Sequence, residues 1–105
     1  MAQKEPCINS ALKLYLSKLE KAGVRVEAAY LFGSYAGNAQ KKESDIDIAI
    51  ISPDLSGDRY EDRIRLMKLS ADIDSRIEPV PFNPKNFIDE DPLAWEIKQK
   101  GILIV

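Results

Sequence analysis

The sequence predicts an α+β fold, a small mixed β-sheet with helices packed on it. Helical and strand-like periodicities alternate along the chain, and the strand candidates are short and apolar. With 105 residues there is room for one core, so the chain reads as a single domain over 1–105, without repeat, low-complexity tract or linker.

Each element has its own warrant. After Pro6, the residues Ile8, Leu12, Tyr15, Leu16, Leu19 and Ala22 fall at helical spacing until Gly23 offers a stop. This apolar stripe is expected to cover one sheet face. Val24 to Phe32 is rich in β-branched and aromatic residues and reads as a strand that becomes buried. It delivers Gly33 and Ser34. The small and polar residues Tyr35 to Gln40 suffice for about two turns of helix before Lys41, Lys42 and Glu43. Ser44 to Ile51 is the second strand, closed by Ser52 and Pro53, with turn chemistry over Asp54 to Gly57.

From Asp58 the spacing of Tyr60, Ile64, Met67 and Ala71 predicts a helix with its charged residues on a solvated face. Arg76 to Phe82 is a third strand. Pro79 and Pro81 cannot donate to a ladder, which argues for an edge position or a bulge. Asn83 and Pro84 set up a short helical turn, and Asp91 and Pro92 open another helix through Leu93, Trp95 and Ile97. Gly101 then releases Ile102 to Val105 as a closing strand or a partner surface.

Composition narrows the chemistry. Lys plus Arg number 15 against 17 Asp plus Glu, and the net charge of -2 argues against a general grip on nucleic acid. One cysteine, Cys7, leaves no intramolecular disulfide, and the start has no signal-peptide core. The expected compartment is the cytoplasm. No apolar stretch approaches the ~20 residues of a membrane span. The chain has no histidine, which removes Ser-His triads and histidine-based zinc sites and leaves carboxylates, Ser, Lys, Arg, Tyr or a metal.

The informative stretch is Leu31 to Ser52. Successive strand side chains point to opposite faces, so Asp45 and Asp47 share one face and Ile46, Ile48 and Ile50 the other. Neighbouring carboxylates repel unless a cation or donors lie between them. Glycine lets a backbone approach a ligand, and Ser34 adds a hydroxyl and an amide suited to phosphate. Either half alone also fits a bland reading, a turn for Gly33-Ser34 and a solvated face for the aspartates.

Gly33-Ser34, ten residues, then Asp45-x-Asp47 resembles the signature of the nucleotidyltransferase superfamily typified by DNA polymerase beta. Within it the chain is most similar to the minimal nucleotidyltransferases of prokaryotes, which are about this length. The resemblance implies that Gly33 and Ser34 hold the phosphates of a nucleoside triphosphate, and that Asp45 and Asp47 bind two Mg²⁺ ions. Mg²⁺ prefers oxygen ligands, and two such ions can stabilise attacking and leaving oxygens. The family also uses a third carboxylate on a neighbouring strand, for which Glu78 is the acid within the third strand. Many relatives carry Arg-Gly after Gly-Ser-x-Ala, where this chain has Gly37-Asn38, so Lys41 or Lys42 is the available substitute for the arginine's charge.

The resemblance implies a Mg²⁺-dependent transfer of AMP from ATP to a hydroxyl. With no second domain for another acceptor, the acceptor is expected on a partner protein. Minimal members are commonly encoded beside a helical HEPN-type toxin, whose tyrosine they adenylylate as antitoxins. The alternative is a non-catalytic module that neutralises such a partner by steric contact, and the blandest is an acidic-faced α+β domain without a nucleotide site.

Overall fold

A computed structural model describes residues 6–33 and 45–104, with side chains from Ser10 onward in the first helix. The elements run α1 (Pro6–Lys21), β1 (Ala28–Phe32), β2 (Ile46–Ile51), α2 (Arg59–Ser70), β3 (Ile77–Phe82), α3 (Pro92–Lys100) and β4 (Ile102–Leu103). The four strands form one sheet in the order β3-β2-β1-β4. β2 runs parallel to β3 and antiparallel to β1, and β1 runs antiparallel to β4, so the sheet is mixed as expected. The expected helix over Tyr35 to Gln40, with Ser34, Gly37, Lys41 and Lys42, lies outside the described residues.

Alternation along β2 sorts the core into two layers. Ile46, Ile48 and Ile50 join Ala29 and Ile77 beneath α1 and α2, while Ala49 and Ile51 join Phe82, Ala94 and Ile97 beneath α3. β2 is the most buried strand because it has a strand on each side and apolar cover on both faces. β1 is half-buried, with Ala29 its fully covered residue. β3, with its two prolines, is an edge strand, where the missing amide donors cost no ladder bond.

α1 is as its spacing predicts, burying Leu12, Tyr15 and Leu19, although Ala22 past its end is exposed. The Tyr15 hydroxyl crosses to α2 and donates to the Leu66 carbonyl oxygen at 3.0 Å. Burial pushes the Tyr15 pKa up, so it stays a neutral donor.

Two expectations are corrected. The strand predicted from Val24 begins at Ala28: Glu27 N already donates to the Ile51 carbonyl oxygen at 2.8 Å, but ahead of it two amides are held by side chains, Arg25 N by Asp54 Oδ2 at 2.8 Å and Val26 N by Glu20 Oε2 at 3.0 Å. Asp45 likewise precedes the second strand, which begins at Ile46.

The buried face of α2 is also rotated from the predicted one. Asp62, Leu66 and Ser70 are buried, while Tyr60, Met67 and Ala71 are exposed. A carboxylate occupies a buried position because the loop before α2 surrounds it with donors: Ser56 N and Oγ reach Asp62 Oδ1 at 3.1 and 2.9 Å, and Gly57 N reaches Oδ2 at 3.0 Å. Asp58 caps α2 through Tyr60 N and Glu61 N, and Asp91 caps α3 through Leu93 N and Ala94 N with Pro92 at the first turn. Asn83 Oδ1 accepts from Lys85 N at 3.0 Å, making a side-chain-closed turn between β3 and α3. Ile102 and Leu103 close the sheet against Leu31 and Tyr30, although both side chains remain exposed.

Candidate active site

The register of β2 and β3 places the acidic residues. Asp47 lies directly across the parallel ladder from Glu78, and Phe32 at the end of β1 lies across from Asp47 on the other side. Because alternation sends Asp47 to the side of Ala49 and Ile51, and Glu78 to the side of Val80 and Phe82, the two carboxylates share the α3 side of the sheet. Asp45 is exposed just ahead of β2 and shares that parity.

Gly33 ends β1 at φ 72°, in the left-handed region that favours glycine. A β-carbon there would collide with Asp47 Oδ2 and come within 3.1 Å of Asp47 Cγ. The turn therefore presses its bare backbone against the half-buried carboxylate. Ser34, the next predicted site residue, lies outside the described residues.

The electrostatics of Asp47 are those of a crowded acid. Its pKa is raised, first by burial and then by the charges of Asp45 and Glu78, with Arg63 pulling the other way. Asp47 thus senses both other predicted acids. The Glu78 carboxylate is engaged by α2: Arg63 Nη2 is 2.9 Å from Oε1. The acids between α2 and β3, Asp72 and Asp74, have partners of their own. Asp74 is bound by Arg76 at 2.9 Å, which lowers its pKa, and Asp72 meets Lys18 at 3.4 Å.

Among the described residues no three His, Cys, Asp or Glu side chains converge into a preformed metal cage. The donor set nevertheless suits a hard divalent cation: Asp45, Asp47 and Glu78 offer only carboxylate oxygens, and the repulsion from Asp45 and Glu78, which adds to burial in raising Asp47, is what a cation would relieve. Asp45 and Asp47 would hold such an ion, with Glu78 able to join on leaving Arg63.

Arg63 has no place among the residues singled out from the sequence, where α2's charges read as a solvated face. That reading is corrected for three of them: Arg63 reaches Glu78, Asp62 is buried, and Arg59 binds Asp91 at 3.0 Å with its guanidinium 4.9 Å from the Phe82 ring centroid. No local signal could have marked Arg63, because its partner lies 15 residues away on a strand.

A family model described as "Polymerase beta, Nucleotidyltransferase" matches residues 12–105. No curated protein matches the chain. Among solved structures, a protein from Sulfolobus solfataricus described as a nucleotidyltransferase is similar at 21% identity, covering 98% of this chain and 89% of its own, with a TM-score of 0.55. A chain from a toxin-antitoxin crystal structure with AMP-PNP is similar at 26% identity, covering 96% of this chain and 72% of its own, with a TM-score of 0.57. The first supports the α+β fold, and the second fits a minimal member of the superfamily. With the family model spanning nearly all of the chain, this protein belongs to the polymerase beta nucleotidyltransferase family.

Proposed function

We propose that this chain is a single-domain Mg²⁺-dependent nucleotidyltransferase that transfers AMP from ATP to a hydroxyl of a partner protein. The observation that carries the reading is the alignment of Asp47 with Glu78 on one sheet face, with Gly33 packed against Asp47 and Asp45 beside it. The AMP-PNP of the toxin-antitoxin neighbour supports a nucleoside triphosphate as the substrate class. Its toxin-antitoxin context supports a protein partner, which we take to be a HEPN-type toxin, making this chain the antitoxin in the cytoplasm. Among the described residues no helix is long and apolar enough to cross a membrane.

In this reading Gly33 gives the triphosphate close backbone access and Ser34 donates its hydroxyl to a phosphate oxygen. Asp45 and Asp47 hold the cations, and Glu78 completes the set and accepts the proton of the attacking hydroxyl. The oxygen–phosphorus bond forms at the α-phosphate as pyrophosphate leaves. When bound, two Mg²⁺ ions supply charge stabilisation for the attacking and leaving oxygens.

Incubation of the chain with labelled ATP, Mg²⁺ and the HEPN-type partner tests this, with Asp45→Ala plus Asp47→Ala as control. Label should appear on the partner with wild type and not with the double variant. If no label is transferred and the double variant neutralises the partner as well as wild type does, the chain acts by contact alone.

A further inference from the structure

Arg63 is the charged group beside the carboxylates to which this chemistry gives no task. α2 covers the layer of Ile46, Ile48 and Ile50 through Leu66 and Leu69, whereas Glu78 is on the opposite side of the sheet. The Arg63 side chain therefore reaches round the edge strand β3 to meet Glu78 Oε1 at 2.9 Å. That carboxylate is the one that faces Asp47 across the ladder.

A guanidinium and a divalent cation compete for the same lone pairs. Arg63 has donors only and no acceptor to offer a metal, and it repels any second cation that shares its carboxylate. The pair is also weak enough to exchange. Its side chains are 51% and 29% exposed, and partly exposed ion pairs add little net stability. The contact thus holds Glu78 in a fixed place without locking it there.

We propose that Arg63 is a positioning residue that keeps Glu78 out of the Asp45–Asp47 cation site, so that a divalent cation recruits Glu78 only by displacing the guanidinium. The proposal rests on the metal site proposed above and adds an order to its assembly: Asp45 and Asp47 bind first, and the third carboxylate joins last. It also accounts for why, among the described residues, no three-acid cage is preformed although Asp47 and Glu78 are in register.

The test is direct Mn²⁺ binding by the full chain without nucleotide, read from the electron paramagnetic resonance signal of free Mn²⁺. Arg63→Gln should tighten binding about two- to fivefold, the range set by the strength of a partly exposed ion pair. Arg63→Lys, which keeps the charge, should return the affinity toward wild type. Removal of a positive charge would also tighten cation binding by lowered repulsion alone, and the Glu78→Gln background separates the two effects. With Glu78 neutral, competition has nothing to act on, so Arg63→Gln should lose most of its effect in that background.

Unchanged or weaker binding by Arg63→Gln overturns the proposal, as does equal tightening with and without Glu78. Retention of Mn²⁺ binding by Asp45→Ala plus Asp47→Ala instead overturns the cation site itself, and failure of every form to bind overturns both. Unfolding curves guard against a folding artefact; because Arg63 is half-exposed, its variants should melt with wild type.

Discussion

Glu78 faces Asp47 directly across the parallel β2–β3 ladder, yet its carboxylate is held at 2.9 Å by Arg63. If Glu78 takes the proton of the acceptor, Glu78→Gln should reduce turnover by about 10²- to 10⁴-fold, the usual contribution of a general base. Nucleotide binding measured by calorimetry should change far less, because Glu78 does not contact the phosphates in the proposed arrangement. Equal loss of turnover and nucleotide affinity would assign Glu78 to substrate binding.

Gly33 and Asp47 form the second test. Gly33→Ala places a side chain at φ 72° and against the Asp47 carboxylate. The backbone conformation alone costs about 1–2 kcal/mol, and the collision adds to it. A lowered urea midpoint is expected, with part of the loss recovered by Asp47→Ala, whose shorter side chain removes the collision with the carboxylate. Additive effects of the two changes would show that they do not meet.

Asp47 should also trade stability against function. Its carboxyl pKa is raised by burial and by Asp45 and Glu78, so the charged form is disfavoured in the folded state. A raised carboxyl pKa means that the native state binds more protons than the unfolded one between the two values. Stability therefore falls as pH rises through that window and stays lowered above it. Asp47→Asn should raise the urea midpoint at pH 7, with the advantage disappearing in acid, while transfer activity is lost. A wild-type midpoint equal to that of the variant at pH 7 would show that the crowded carboxylate carries no electrostatic cost.

Asp54 has the opposite sign. Hydrogen bonds from the Arg25 side chain and amide hold its carboxyl down at about 2. A depressed carboxyl contributes stability that is fully present above the ordinary value of ~3.9 and is lost as pH falls toward the folded value. Asp54→Asn should flatten the acid loss between about pH 4 and pH 2 in urea midpoints. An unchanged acid slope would mean that the Arg25 contact does not persist in solution.

Tyr15→Phe probes the packing of α1 on α2. It removes the donor to the buried Leu66 carbonyl oxygen and should cost about 1–3 kcal/mol in denaturant unfolding, since the acceptor loses its partner. Activity at temperatures where the variant stays folded should be preserved.

The sequence by itself determined the element types and the acidic face. Period-3.6 stripes marked α1 and the existence of α2, alternation put Asp45 and Asp47 on one side, and Pro79 with Pro81 limited β3 to an edge position or a bulge, of which the structure shows the edge. These are local properties, set by backbone geometry and by which donors a residue has. Tertiary structure decided the rest. It alone aligned Glu78 with Asp47, because strand register depends on contacts between segments distant in sequence. It turned α2 so that Asp62 rather than Tyr60 is buried, because the donors of Ser56 and Gly57 satisfy a carboxylate that composition alone assigns to solvent. It also shortened β1 at its start, where side-chain acceptors hold the amides of Arg25 and Val26. Finally it brought Arg63 round the sheet edge to Glu78, an ion pair between a helix and a strand that no spacing along the chain encodes.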